Sequence, residues 1–542
     1  MTKRERTQNM FEEKIVPAES GSGKLFDIHY EPRNKESVEC LGITFSSDQE
    51  RRNHFLKKLR EGLEELFAKL GGVPFTTVED AVALMKSVKK WPMGDETRLR
   101  ELAEHMREEH RKEPEKDLLQ LWKDQVGFPH GEIDDILNLS DPPYYTACPN
   151  PFIADFIRHY GKTYNPDTDS YHREPFAADV SEGKNDPIYN AHSYHTKVPH
   201  KAIMRYILHY TEPGDLVFDG FCGTGMTGVA AQLCGDRKTV ESLGYRVDNQ
   251  GIIYQQETDE DGNTVWKPFS RLGARQAILN DLSPAATFIA YNYNTPVDVH
   301  AFEREAKRIL KEVEEECGWM YATLANPVNG EPEEWAVKLH TCKTANEIRK
   351  LLKSNSDWGR INYTVWSDVF ICPECTQEVV FWEAAVDKDA GKVHKEFPCP
   401  HCGAILTKRN MERAWVTKYD KAIGETIRQA KQVPVLINYS IGKKRYEKIP
   451  DAFDLALIEK IEQLDIPYWF PTDRMPEGYN TEQPKISHGL THVHHFYTKR
   501  NLWVLGIFYK ATDQLAKELK KIAQFFIQYA CLGFSKISRY VP

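Results

Sequence analysis

Four cysteines in two CxxC steps, Cys372-Pro-Glu-Cys375 and Cys399-Pro-His-Cys402, carry the most specific chemistry in this chain. Each step turns as a knuckle that presents two thiolates, and two knuckles complete a tetrahedral shell for Zn2+. His394 and His401 stand near enough in sequence to replace a sulfur, but four thiolates suffice. A closed shell of sulfurs leaves no open position, so the metal is expected to be structural. A second constellation is a glycine loop. The apolar run Leu216-Val217-Phe218 leads through Asp219-Gly220-Phe221-Cys222-Gly223-Thr224-Gly225 into a helical stretch from Met226. Gly223 and Gly225 remove side chains from the path of an approaching ligand. The free N–H groups at the helix start then suit a negative group. The next strand, residues 276–280, ends at Asp281, where a carboxylate can hold ribose hydroxyls. Alternatively, Asp281 caps the helix that begins at Ser283-Pro284.

The interval from Gly225 to Asp281 exceeds the ~20 residues usual between such a loop and its acidic partner. Residues 244–268 account for the excess, since they read as an inserted β-hairpin with Asp261-Gly262 at its turn. Four features now stand in order: Tyr194-His195-Thr196-Lys197-Val198-Pro199, an apolar helix over 200–210, the Pro213-Gly214-Asp215 turn, and Phe221-Cys222-Gly223-Thr224-Gly225. Together they resemble the cofactor half of the N4-cytosine/N6-adenine DNA methyltransferase family. The resemblance covers residues 190–297 and departs from the family pattern at Val198 and at the hairpin. It implies S-adenosylmethionine as methyl donor, with Thr196, Lys197, Asp219, Gly220, Phe221, Gly223, Gly225, Thr227 and Asp281 placed around it.

Asp141-Pro142-Pro143-Tyr144 matches the catalytic tetrapeptide of the same family. An aromatic amine is a poor nucleophile because its lone pair is delocalised into the base. Accepting its N–H protons with Asp141 and a prolyl carbonyl aims that lone pair at the methyl group, while Tyr144 stacks the extruded base. The transfer itself needs mostly orientation. A plain Asp-Pro-Pro turn would have the same sequence. The interval between Tyr144 and Phe218 is short and broken by prolines, too short for the sheet strands that normally follow the tetrapeptide. Either the motif works in a rearranged order, or it lines the cofactor pocket and the true tetrapeptide lies beyond Pro542. In the second case the parallel sheet would lack strands, with its edge open or covered by another chain.

These residues need elements to hold them. A helical leader is expected over 1–130, with Ser47 or Asp48 capping a helix that carries Phe55, Leu56, Leu59, Leu63 and Leu66 at helical spacing. Further helices follow at 77–88 and 95–124. A short strand, 136–139, precedes the tetrapeptide. The fold class expected is α/β, with a Rossmann-like class I methyltransferase core over 131–300. A helical connector (301–360) follows, then a zinc-ribbon insertion (361–415) with a strand at 379–385. A mixed C-terminal region (416–542) ends in one long amphipathic helix, 502–531, and is the expected place of target recognition. Gly21-Ser22-Gly23-Lys24 lacks the spacing of a phosphate loop.

Composition bounds the rest. The 542 residues are 41% hydrophobic and 28% charged, which is globular, and no run approaches a membrane span. The opening decapeptide lacks an apolar signal core, so a cytoplasmic protein is expected, and there the paired cysteines favour metal over disulfides. A net charge of −9 disfavours non-specific nucleic-acid binding, yet Arg51-Arg52, Lys57-Lys58 and Lys443-Lys444-Arg445 leave room for a basic groove. Solvated helix faces would read the same. Lys408, Arg409, Arg413, Trp382 and Trp415 beside the cysteines could touch phosphates and bases. His492, His494 and His495 read as surface or groove residues rather than a second metal site. The reading is a DNA amino-methyltransferase acting on adenine N6 or cytosine N4, in a setting resembling bacterial modification or phage defence. The alternatives are an RNA methyltransferase, or a zinc-bearing cofactor-binding part that needs a second chain or a missing C-terminal half.

Overall fold

The computed structural model describes residues 37–71, 77–87, 96–114, 118–123, 129, 131–180, 182–194, 197–325, 331–353 and 358–538. Gly21-Ser22-Gly23-Lys24, His195 and Thr196 lie outside them. The chain divides into two compact units. One comprises residues 1–178, 204–287 and 294–298, and the other comprises 179–203, 288–293 and 299–542.

In the first unit, strands Val38–Cys40 and Ile43–Phe45 form a hairpin before the helix Asp48–Gly71. The helix starts where Ser47 Oγ accepts the Glu50 N–H (3.2 Å) and the Glu50 carboxylate accepts from the Ser46 amide and hydroxyl. Two orphan donors of the first turn are thereby satisfied. Phe55, Leu59, Leu63, Leu66 and Leu70 then bury one face against Val82, Leu99, Met106 and Trp122 from helices Val78–Ser87, Glu96–Lys112 and Leu118–Lys123. Each such side chain contributes about 1.5–3 kcal/mol on leaving water. The stretch expected to be a strand at 136–139 is instead part of a helix, Ile133–Leu139. Ile136 and Leu137 are adjacent yet both buried, with Ile133 packed alongside one turn earlier. That is a helical pattern, not an alternating one.

The remainder of this unit is α/β. Strand Leu216–Asp219 pairs in parallel with Gln276–Leu279, in register from Leu216↔Gln276 to Asp219↔Leu279. Helix Met226–Leu233 packs on the second strand. Arg275 is buried and donates to Thr211 O (2.8 Å) and Thr211 Oγ1 (3.0 Å), tying the strand entry to the Pro213-Gly214 turn. The inserted hairpin is present as Ile252–Thr258 and Thr264–Arg271, with Gly262 at φ +80° in its turn. Among the described residues the parallel sheet has two strands.

The second unit is built on one long strand, Trp358–Ile371, whose β-branched and aromatic residues alternate in burial. Gln432–Ile441 pairs antiparallel along it and continues into Lys444–Lys448, while Ala322–Leu324, Glu378–Val380 and Glu412–Arg413 also join it. A helical core covers this sheet, formed by Val299–Cys317, Pro332–Thr341, Ala452–Gln463 and Lys499–Thr512 around Trp319, Trp335, Phe453 and Trp503. The strand expected at 379–385 is only Glu378–Val380, followed by a short helix, Phe381–Ala385. The single helix expected at 502–531 is two, Lys499–Thr512 and Lys517–Phe534, separated by a turn at Asp513. No helix among the described residues is long and apolar enough to cross a membrane.

Candidate cofactor loop, catalytic turn and metal centre

The glycine loop leaves the first parallel strand at Asp219 and re-enters helix at Met226. Gly223 and Gly225 have φ of +52° and +73°, and Gly225 is the helix N-cap. A side chain at either would be strained in this left-handed region. Asp219 closes the near end of the loop, with Oδ1 accepting the Phe221 N–H (3.2 Å) and Oδ2 the Thr227 hydroxyl (2.5 Å). Asp281 closes the far end: Oδ2 accepts the Gly223 N–H (2.9 Å) and Oδ1 the Ser283 N–H (2.9 Å). The helix Pro284–Asn294 is capped by Ser283, whose hydroxyl accepts from Ala286, so Asp281 is not its N-cap. Gly228 lies where the helix meets its neighbours, and a Cβ there would stand 2.4 Å from Asn294 Oδ1 and 2.8 Å from Leu279 Cδ1. Cys222 is buried beside Asp281 and Asp219, and burial pushes its thiol up to about 12.

Large apolar side chains stand exposed around this loop. Phe221 is 82% exposed, Leu282 71% and Phe218 69%. Gly220 lies against the Phe218 ring. Lys197 belongs to the other unit, where its ammonium donates to the carbonyls of Tyr189 and His192 and lies 4.4 Å from the Tyr189 ring centroid. Burial lowers it to about 8.

Asp141-Pro142-Pro143-Tyr144 forms a tight turn closed by paired backbone bonds between Asp141 and Tyr145 (2.8 and 3.0 Å). Ser140 and Asn150 brace it, the latter by donating to Pro143 O at 2.9 Å. Tyr145 is hydrogen-bonded with Thr287 in the first turn of the helix after Asp281, so the turn reaches the cofactor-loop side of the unit. The unexpected feature is Arg51. Its Nη1 donates to Pro142 O at 2.8 Å, its Nη2 lies 3.4 Å from Asp141 Oδ1, and its guanidinium carbon sits 4.9 Å from the Tyr144 ring centroid. One planar donor group thus meets the carboxylate, a prolyl carbonyl and the aromatic face of this turn. Arg52 also reaches Asp141, at 3.5 Å, and Asp48 accepts from both arginines. Arg51 and Arg52 are therefore buried partners of carboxylates, neither a solvated face nor part of a basic groove. Two arginines beside one carboxylate need no external phosphate.

The four cysteines converge. Cys372 Sγ and Cys402 Sγ are 3.8 Å apart, as are Cys375 Sγ and Cys399 Sγ, and all four sulfurs lie within 4.8 Å of one another. A tetrahedron with ~2.3 Å metal–sulfur bonds has edges of about 3.8 Å, so the set fits Zn2+. Both knuckles share one backbone pattern: Thr376 N–H to Cys372 O and Gly403 N–H to Cys399 O, each 2.9 Å, with Thr376 and Gly403 at positive φ. The first knuckle joins Trp358–Ile371 to Glu378–Val380, and the second joins Glu396–Pro398 to Ile405–Thr407.

The family model for DNA methylases matches residues 74–257, a span holding both the 141–144 turn and the 221–225 loop. The matched segment is similar to N4/N6-type DNA methylases. No curated protein and no solved structure matches the chain. The match covers about a third of the chain; the four cysteines and the whole of the second unit's large sheet lie outside this methylase segment.

Sequence reasoning missed Arg51 as a partner of the methylase turn, because nothing local links residues ninety positions apart. It also gave Arg413 a free role. Arg413 instead pairs with Asp368 at 2.5 Å and lies over Phe370, while Arg428 lies over Trp415. Lys408 covers Phe381. Lys443, Lys444 and Arg445 are exposed on a hairpin.

Proposed function

We propose that the chain is an S-adenosylmethionine-dependent DNA amino-methyltransferase, with adenine N6 preferred and cytosine N4 the next candidate. The observation that carries this reading is the loop at 221–225, fastened by Asp281 to the Gly223 amide beneath an exposed Phe221, inside the methylase segment. In this reading the two parallel strands belong to a Rossmann-like core, and Asp219, Gly220, Phe221, Gly223, Gly225, Thr227 and Asp281 line the cofactor. The bound cofactor supplies an electrophilic methyl group. The chain's own contribution is placement. Gly223 and Gly225 admit the ligand to the backbone, Asp281 offers its remaining lone pairs to ribose hydroxyls, and Phe221 covers an apolar face. Asp141 and the Pro142 carbonyl accept the amine N–H groups, and Tyr144 stacks the base. For that to happen Arg51 has to withdraw from the turn, since it now makes all three contacts. The cysteines hold a structural Zn2+ in a ribbon, and residues 416–542 contribute to target recognition. Such a role belongs in the cytoplasm, in bacterial modification or phage defence.

A second reading has its own support. The two-stranded parallel sheet, the exposed Phe218 on its first strand and the Arg51-filled turn favour a cofactor-binding part that a further polypeptide completes. One experiment separates the readings. The chain is incubated with labelled S-adenosylmethionine and mixed-sequence duplex DNA, or RNA, and the modified base is identified by mass spectrometry. N6-methyladenine in DNA, abolished by Asp141→Ala, supports the first reading. Cofactor binding without transfer supports the second. Transfer to RNA alone, or transfer untouched by Asp141→Ala, contradicts both.

A further inference from the structure

The second unit contains another convergence of ligating atoms, separate from the cysteines. Strand Trp415–Asp420 ends at Asp420, and the turn Val493–Phe496 carries His494 and His495. The Nε2 atoms of both histidines stand 2.8 Å from the same oxygen, Asp420 Oδ2. All three donor atoms lie within 4.8 Å of one another. His494 is 8% exposed and His495 3%, so these are interior side chains, not the surface residues expected from their sequence.

We propose that Asp420, His494 and His495 form a binding site for a divalent transition-metal ion of the zinc class. The geometry carries this. Ligands at ~2.0–2.1 Å from one tetrahedral ion are separated by about 3.3–3.4 Å. Each histidine nitrogen stands 2.8 Å from the carboxylate oxygen, a hydrogen-bond spacing that has to open by about half an ångström when an ion replaces the shared protons. The carboxylate is oriented for one-oxygen ligation: Oδ1 is held by the Ala422 N–H at 3.0 Å, which leaves Oδ2 facing the imidazoles. The His495 ring is oriented from behind by Thr491, whose hydroxyl lies 3.3 Å from His495 Nδ1 and 3.0 Å from His492 Nδ1. A ring fixed through its far nitrogen is the usual support of a ligating histidine. The turn is pinned in turn by Val493 N–H to Asp473 O (3.0 Å) and by the bridge between Arg474 and His492. Two imidazoles and one carboxylate favour a borderline cation over Ca2+ or Mg2+. Three protein ligands leave a position for water, unlike the closed sulfur shell. The ion would fasten the strand 415–420 to the turn 493–496.

The test uses the full chain and does not depend on methyl transfer. After zinc-supplemented expression and desalting, elemental analysis should return about two zinc ions per chain, one from each site. Asp420→Asn and, separately, His494→Gln should lower this to about one, with folding checked by circular dichroism. Reconstitution with Co2+ gives a second readout on the unaltered protein. A thiolate charge-transfer band reports the cysteines, and added visible absorption without thiolate character reports the Asp/His site. Saturation of the unaltered protein at one equivalent, with only the thiolate-type spectrum, overturns the proposal. So does a folded Asp420→Asn variant that still holds two ions.

Discussion

Replacing Arg51 by Met keeps most of the side-chain volume and removes the guanidinium. The cost can be worked from its contacts. Asp141, 4% exposed, loses one cation at 3.4 Å and keeps Arg52 at 3.5 Å. Pro142 O loses a charged donor at 2.8 Å, and Asp48 Oδ1 loses another at 2.8 Å. Removing one partner of a buried pair costs about 3–5 kcal/mol. The surviving Arg52 contact sets the expectation near the lower end, about 3 kcal/mol. For a unit of this size that lowers the melting temperature by roughly 5 °C. The assay is thermal unfolding followed by calorimetry, with Asp141→Asn and the double variant completing a cycle. Arg51→Met and Asp141→Asn should be non-additive by more than ~1 kcal/mol, because the asparagine no longer needs the cation. A loss below about 1 kcal/mol for Arg51→Met, with an additive cycle, would refute the view that this turn is held shut by a buried ion pair.

Gly228→Ala puts a methyl group against Asn294 and Leu279, and overpacking of that kind should cost about 1–3 kcal/mol in chemical denaturation. Cys399→Ser should release about one metal ion per chain and expose 372–407 to limited proteolysis, with the methylase segment remaining folded. The pH dependence follows from Asp48 and Asp368. Burial alone would raise both carboxyls, but hydrogen bonds and charge from Arg51 and Arg52 hold Asp48 low, and those from His488, Arg413 and Gln432 hold Asp368 low. Both therefore add stability that is complete above the unfolded carboxyl value of ~4 and is lost as pH falls below it toward the depressed folded values. Urea midpoints should be flat from pH 5 to about 7 and drop steeply below about 4; an unchanged midpoint at pH 3 would contradict this assignment.

The features legible in the sequence are those whose information is local. Gly223, Gly225 and Gly262 sit where the backbone turns to positive φ, and the two CxxC steps become matched knuckles. The leader helix shows itself in the three- and four-residue recurrence of Phe55, Leu59, Leu63 and Leu66. Residues 136–139 were illegible because four apolar-leaning residues cannot reveal a period; packing on the leader helix decided for helix. The break at Asp513 was masked because apolar spacing runs on either side of it. Arg51 with Asp141, and Asp420 with His494 and His495, depend on contacts between distant segments, and no local pattern announces them. Asp281 was legible as the acid that follows the second parallel strand, but its hold on the Gly223 amide required the three-dimensional loop.

The central claim is that the 221–225 loop binds S-adenosylmethionine, and titration calorimetry on the intact chain tests it most directly. The account predicts saturable binding of one equivalent, abolished by Gly223→Val, since a branched side chain cannot follow φ +52° and would stand in the ligand's path. Circular dichroism of the variant should remain that of the parent. A folded parent chain that takes up no S-adenosylmethionine, or a Gly223→Val variant that binds it as well as the parent, would contradict the account.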